Sequence, residues 1–243
     1  MTNRQRADRL LVARGLFESR TRAQAAIAAG RVSADGVVVS KASDAIATGA
    51  VIDAEPAHPF VSRGSVKLVA ALDHFGIDVT DRVCLDVGSS TGGFTQVLLQ
   101  RGAKRVYAVD VGRGQLHASL HSRREITALE GTDIRGLDPA RIDEKPGLAT
   151  VDVSFISLKL VVPPIGKLLR PRGRLLALVK PQFEAGRGEI KKGIVRDAAV
   201  HAKVCDDIAE LLAAHGWRVG GRLPSPILGG DGNAEFFIEA ELG

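Results

Sequence analysis

The 243-residue sequence predicts an α/β protein: a doubly wound, mostly parallel sheet with a small N-terminal α+β domain. Three observations predict it. From Val83 onward, near-continuous apolar strands alternate with amphipathic helices, the pattern of a parallel sheet covered on both faces. Residues 1–54 have a different rhythm, two short helices and then a hairpin-like run. Charge is also unevenly divided. Residues 1–41 hold eight Arg or Lys against three acids, whereas the remainder balances 25 bases against 25 acids, so the whole net charge of +5 lies at the N-terminus. Such asymmetry points to a polyanion-binding appendage on a neutral body, the alternative being a solvated basic face.

Residues 4–14 read as a helix closed by Gly15. Ser19 or Thr21 caps a second helix through Ala29, ended by Gly30. Val32, a turn at Ala34-Asp35-Gly36 and residues 37–39 predict a hairpin, and residues 50–54 close a small sheet. The segment EPAHPFVS, residues 55–62, has two prolines and no periodicity and reads as a linker, leaving domains at 1–54 and 63–243. In the second domain, strands are expected at 83–87, 105–110, 126–129, 149–153 and 174–179. Helices are expected from Gly93, near Leu116, and at 157–169 and 197–214. The last two strands, 218–223 and 235–241, are joined by a Gly-Pro-rich loop without a helix, which predicts an antiparallel edge.

No run approaches the roughly 18 apolar residues of a membrane-spanning helix, and MTNRQRADRL lacks the apolar segment of a secretion signal, so a cytoplasmic protein is expected. The most apolar helix, 157–169, is broken by Pro163-Pro164 and reads as a buried cover. Cys84 and Cys205 fit no metal spacing and read as inert buried thiols. His117 and His121 have helical spacing, but a solvated face explains them and no metal is expected.

The stretch LDVGSSTGGFT, residues 85–95, leaves the first strand of the large sheet and enters a helix. In such sheets ligands sit beyond the carboxyl ends of the strands, and glycines there let backbone approach closely. The pattern is neither G-x-G-x-x-G nor a P-loop with its lysine. Acids end four successive strand regions: Asp86, Asp110, Asp133 and Asp152. They are expected to line one rim, the alternative being that each caps a helix or turn. Asp110 suits a ribose diol and Asp133 an adenine amino group. An acidic rim without a phosphate-gripping lysine suits a positively charged nucleoside such as S-adenosylmethionine.

Here DVGSSTGGFT resembles the S-adenosylmethionine-dependent methyltransferases of the Rossmann-like class, and more narrowly the FtsJ-type ribose methyltransferases, with Ser90 where the broad pattern has its middle glycine. The resemblance implies cofactor contacts from Asp86, Gly88, Ser89, Ser90, Gly92, Gly93, Phe94, Asp110, Val111, Asp133, Ile134 and Asp152.

A lysine closing a buried strand is costly unless it has a partner or a task, and Lys180 closes the strand LLALVK. Lys67 in VSRGSVKL, Asp152 in VDVSF, Lys180 and Glu235 in GNAEFF resemble, in order and context, the Lys-Asp-Lys-Glu tetrad of the FtsJ-like enzymes, which implies a 2′-hydroxyl methylation site. A ribose hydroxyl is a poor nucleophile that needs its proton accepted and its oxygen aimed. Burial and Lys67 favour a neutral Lys180 amine, the acids favour its ammonium, and the sequence leaves open whether Lys180 is a base, an orienting charge or a structural ion pair. Cytosine-C5 chemistry would need a nucleophilic cysteine, and base amino methylation commonly uses an Asn/Asp-Pro-Pro-aromatic turn where this chain reads Asp152-Val153-Ser154-Phe155.

The N-terminal arginines at SRTRA and the later G-R-V…D-G…V-x-K resemble the S-four-type RNA-binding domain. The matching candidates for RNA phosphates are Arg4, Arg6, Arg9, Arg20, Arg22 and Lys41, with Arg63 after the linker. Residues 184–196, EAGRGEIKKGIVR, read as a flexible basic loop over the target nucleotide, with Arg187, Lys191 and Lys192 near phosphates; a merely solvated loop is the alternative. Together with VSRG, GRGQLH, DVSFISL and VKPQFEAGRGEI, the two domains resemble the TlyA-type proteins, historically called hemolysins, which act as 2′-O-methyltransferases on cytidines of ribosomal RNA. The resemblance implies ribosomal RNA or ribosomal subunits as partner. The shorter members of that family are associated with large-subunit RNA, so the end at Gly243 favours it over small-subunit RNA. A monomer is expected. A membrane-active hemolysin and a non-catalytic ribosome-assembly factor are the competing functions; the first needs an exposed insertion element and the second does not need the tetrad.

Overall fold

The computed structural model describes residues 3–243, the side chain of Arg187 excepted. It divides into two compact units, Met1–Pro59 and Phe60–Gly243. The first contains β1 (Arg4–Arg6), α1 (Ala7–Ala13), α2 (Arg20–Ala28), β2 (Val32–Ala34), β3 (Val37–Val38), β4 (Ala45–Ala47) and β5 (Ile52–Ala54). β1 pairs with β4, and β2 lies between β3 and β5. The expected first helix therefore starts later than residue 4, because Arg4–Arg6 pair antiparallel with Ala45–Ala47. Ser19 Oγ accepts from the Arg22 N–H and caps α2. Leu10, Leu11, Phe17, Ile27, Val32 and Ile46 form the core, and the fully buried Ala23 and Ala26 let α2 lie close upon it.

The second unit runs α3 (Gly64–His74), β6 (Val83–Val87), α4 (Gly93–Gln100), β7 (Arg105–Asp110), α5 (Ala118–His121), β8 (Ile126–Glu130), β9 (Leu148–Val151), α6 (Leu158–Leu168), β10 (Arg174–Val179), α7 (Pro181–Glu184), α8 (Ala198–Ala214), β11 (Trp217–Pro224) and β12 (Phe236–Leu242). Its seven strands lie in the order β11-β12-β10-β9-β6-β7-β8, and the neighbours from β10 to β8 are parallel. This is the doubly wound, mostly parallel sheet expected from the sequence. The winding reverses between β6 and β9, which lie side by side with Val87 opposite Val151. A crevice opens beyond the carboxyl ends of strands at such a reversal.

Two placements matter for the site. β12 is antiparallel to both β10 and β11 and inserts between them, so the edge strand is β11. Its register sets Phe236 opposite Val179, which brings the residues just outside the ladder, Glu235 and Lys180, to the same end of the sheet. The unanticipated α3 buries Leu68, Ala71 and Leu72 and thereby carries Lys67. α6 is not broken at its prolines but runs through Pro163 and Pro164. The two carbonyls that proline leaves unpaired belong to Lys159 and Leu160, which are exposed to water. Its other face, Leu158, Val161, Val162, Ile165 and Leu168, is buried as expected, which stabilises by roughly 1.5–3 kcal/mol for each large side chain. Among the described residues, no helix is long and apolar enough to cross a membrane.

Candidate active site

The glycine-rich turn takes its shape from crowding. Gly88 has φ +82°, and a Cβ on it would stand 2.3 Å from the Asp152 carbonyl oxygen, so only glycine lets the β6 end pass the β9 end. Gly92, with φ +89°, would drive a Cβ into Leu120 and Leu116. Ser90 also lies in the left-handed region, at φ +46°, and its N–H donates to Asp110 Oδ2 at 2.8 Å. A non-glycine residue held there carries strain on the order of 1–3 kcal/mol.

Beside this turn is a cavity of 520 Å³, walled by Gly88, Ser90, Asp110, Val111, Asp133, Ile134, Asp152, Val153 and Phe155 among others. That volume lies in the range of small-molecule sites, roughly 300–1,000 Å³. Asp110 is oriented by the N–H groups of Ser90 and Gly112, the latter at 2.7 Å from Oδ1. Asp133 accepts from the Arg135 N–H at 2.9 Å and pairs with its guanidinium at 2.5 Å, which holds its carboxyl below the usual range. Asp86 departs from expectation. It lines neither cavity of the site but lies fully buried beneath the turn, accepting from Thr95 Oγ1 at 2.6 Å and Thr150 Oγ1 at 3.1 Å. Burial raises its carboxyl to about 7. The acidic rim therefore has three members, Asp110, Asp133 and Asp152.

A second cavity, of 260 Å³, shares Gly88, Ser90 and Asp152 with the first. Ser89, Gly93, Phe94, Arg63, Lys67 and Lys180 complete its expected members. Lys67 Nζ meets Glu235 Oε2 at 2.5 Å, both side chains buried. Lys180 Nζ lies 2.6 Å from Asp152 Oδ1 and donates to Ser154 Oγ at 2.9 Å. Its approach to Asp152 is off the hydrogen-bond axis, which leaves Oδ1 a buried acceptor without an aligned donor. Lys67, Asp152 and Lys180 face the cavity; Glu235 stands one contact behind Lys67. Two lysine–carboxylate pairs thus converge from segments far apart in the chain. Such an array can hold a hydroxyl by its oxygen and offer an acceptor to its proton.

Sequence reasoning passed over three residues. Phe155, at φ +63°, is 91% exposed at the rim of the larger cavity and packs against Phe183, with ring centroids 5.1 Å apart. An exposed aromatic at a backbone angle that disfavours it was a signal only once the fold was known. Glu184, whose carboxyl is raised above its usual value by burial, accepts from Ser157 Oγ at 2.5 Å and the Leu158 N–H at 2.7 Å, joining the segments after Lys180 and Asp152. In the N-terminal unit, Asp8 is fully buried and accepts from Arg6, Arg20 and Gln24; the hydrogen bond from Arg6 is the largest influence holding its carboxyl far below the usual range.

The expected RNA contacts fall into groups. Arg6 and Arg20 are half-exposed partners of Asp8, Arg4 donates to the Ala45 carbonyl, and Arg22 stands 3.5 Å from Glu18. Arg9, Lys41, Arg63, Lys191 and Lys192 are exposed, while the Arg187 side chain lies outside the described residues. The basic segment expected to be a flexible loop has a defined tip. Lys191 and Ile194 exchange two backbone hydrogen bonds of 3.0 Å around Lys192 (φ +52°) and Gly193 (φ +78°), a two-residue turn with both central angles positive. Burial raises both thiols, Cys84 to about 12, so neither is a ready nucleophile. Among the described residues, no group of three or more His, Cys, Asp or Glu is placed to hold a metal ion.

Residues 60–242 match the family described as FtsJ-like methyltransferase, and residues 5–52 match the S4 domain. The chain is 44% identical over 243 residues to the 16S/23S rRNA (cytidine-2′-O)-methyltransferase TlyA of Mycobacterium tuberculosis, covering 98% of this chain and 90% of that one. It is 40% identical over 180 residues to the 23S rRNA (cytidine-2′-O)-methyltransferase TlyA of Campylobacter jejuni, covering 73% and 69%. A solved structure of a hemolysin-named protein from Streptococcus thermophilus aligns with a TM-score of 0.79 and 41% identity, over 100% of this chain and 90% of that one.

Proposed function

The chain belongs to the FtsJ-like methyltransferase family, and on that premise we propose that it methylates the 2′-hydroxyl of a cytidine in ribosomal RNA, using S-adenosylmethionine. The relatives from Mycobacterium tuberculosis and Campylobacter jejuni are both named for 23S rRNA, which makes large-subunit RNA the favoured substrate, with the cytoplasm as the setting. The S4 domain holds RNA by its basic residues, the exposed Arg9 and Lys41 foremost.

The larger cavity fits the cofactor by its chemistry. Asp110 keeps an unused lone pair on each oxygen for a ribose diol, Val111 and Ile134 offer apolar flanks for a purine, and Asp133 presents an acceptor held by Arg135. Asp152 lines both cavities and so sets a carboxylate where they meet, suited to the positive charge of a sulfonium. Bound there, S-adenosylmethionine supplies an electrophilic methyl group on a sulfonium. In the smaller cavity Lys67, charge-balanced by Glu235, holds the target hydroxyl oxygen. In its neutral amine form Lys180 Nζ takes the hydroxyl proton as the oxygen bonds to the methyl carbon, and Asp152 and Ser154 stabilise the ammonium that results. Proton acceptance by a positioned group contributes roughly 10²–10⁴-fold. Phe155 offers a face on which a base drawn out of its stack can rest.

The observation that carries this reading is the convergence of the pairs Lys67–Glu235 and Lys180–Asp152 on a cavity that shares a wall with a nucleoside-sized one. Incubating the protein with ribosomal subunits and labelled S-adenosylmethionine, then digesting the RNA to nucleosides, tests it. Labelled 2′-O-methylcytidine is expected, and label on a base would contradict it.

A further inference from the structure

The lysine turn and the catalytic end of β12 share one buried side chain. Asn233 stands two residues before Glu235 and is 1% exposed. Its Oδ1 accepts from the Val195 N–H at 3.0 Å, and its Nδ2 donates to the Gly193 carbonyl at 3.0 Å. Both contacts fall at the base of the turn that displays Lys191 and Lys192. The Val195 carbonyl is held from the other side by His201 Nε2 at 3.0 Å. The His201 ring packs 5.4 Å from the ring of Phe236, the residue after Glu235. The Glu235 carbonyl in turn accepts from the Ser225 N–H at 2.8 Å. Lys192 is held in the left-handed region, which a residue with a side chain rarely adopts. A turn kept in that form by buried hydrogen bonds is pre-shaped before any ligand arrives.

From this we infer that Asn233 is a positioning residue that fastens the two-lysine turn to the segment carrying Glu235, so that phosphate contact at Lys191 and Lys192 is transmitted to the Lys67–Glu235 pair. The inference rests on the ribose-methylation reading for its catalytic consequence. Removing the amide frees the turn from β12 without touching either cavity, since Asn233 lines neither.

The test uses the full chain, S-adenosylmethionine and purified large ribosomal subunits. Asn233→Ala lowers kcat at least tenfold while the dissociation constant for S-adenosylmethionine stays within twofold. Asn233→Asp keeps the acceptor for Val195 and recovers part of the rate. Replacing Lys191 and Lys192 together by Ala lowers kcat several-fold in the parent chain but not further in Asn233→Ala. A kcat within twofold of the parent for Asn233→Ala, or losses that multiply, overturns the inference. Amide hydrogen exchange on the free protein judges the coupling whether or not the chain methylates RNA. Loss of protection in Asn233→Ala that spreads from Val195 to Ser225 supports it, and loss confined to residues 193–195 overturns it. A parent chain that transfers no methyl group overturns the ribose-methylation reading instead.

Discussion

Lys67 and Glu235, 168 positions apart in sequence, meet at 2.5 Å in the interior of the second unit. The contact exists because β12 runs antiparallel into the sheet beside β10, returning the chain to the end where α3 presents its lysine. Breaking a buried pair by deleting one partner strands a charge and costs roughly 3–5 kcal/mol. Glu235→Ala should therefore lower the urea midpoint strongly and abolish methyl transfer. Glu235→Gln, which keeps the shape and an acceptor, should recover much of the stability but not the activity. Equal urea midpoints for Glu235→Ala and the parent would show that the pair is not buried as described.

Asp86 makes stability depend on pH. Its folded value near 7 lies above the roughly 3.9 of an unfolded carboxyl, so its contribution is full below about pH 4 and is lost as pH rises toward 7. The gap corresponds to at most about 4 kcal/mol. Asp86→Asn should flatten that part of the curve and gain stability relative to the parent at pH 8. Denaturant midpoints at pH 4.5 and pH 8 measure it, and identical pH slopes in the two proteins would contradict the assignment.

Gly88→Ala should cost about 2–4 kcal/mol, because neither its positive φ nor the Asp152 backbone 2.3 Å from the new Cβ can adjust cheaply. It should also weaken S-adenosylmethionine binding more than tenfold. Gly102→Ala is the control. It has a similar φ of +85° but no atom closer than 3.6 Å to the added Cβ, so it should cost only roughly 1–2 kcal/mol and leave binding unchanged. Calorimetric titration separates the two.

In the N-terminal unit, Asp8→Ala removes the acceptor shared by Arg6, Arg20 and Gln24 and should destabilise by about 1–3 kcal/mol. Since the Asp8 carboxyl is held far below its ordinary value, its contribution is present at neutral pH and fades only as pH falls below the usual carboxylate range. Filter binding to ribosomal RNA should weaken together with stability. Unchanged RNA binding and unchanged unfolding would show that Asp8 does not organise the arginines.

Much of this architecture could be read from residues alone, for definable reasons. The strands at 83–87, 105–110 and 174–179 match residue for residue, since a strand buried on both faces is a near-continuous apolar run. β1 and β4 escaped because three-residue strands are defined by a partner some forty positions away rather than by their own pattern. The four chemical residues stood out by type and neighbours. Their pairing did not, because it depends on where β12 inserts. Asp86 and Asp110 both sit at strand ends, yet one faces inward and the other the cavity, a difference of packing that position along a strand does not encode. The Lys192-Gly193 turn was legible in principle, as a residue pair ending in glycine between residues able to pair.

The most direct test of the central claim is methyl transfer by Lys180→Ala to large ribosomal subunits, read together with its binding of S-adenosylmethionine. Loss of transfer by at least a hundredfold with cofactor affinity within a fewfold of the parent is the predicted result. Transfer at the parental rate would mean that Lys180 does not act on the ribose hydroxyl.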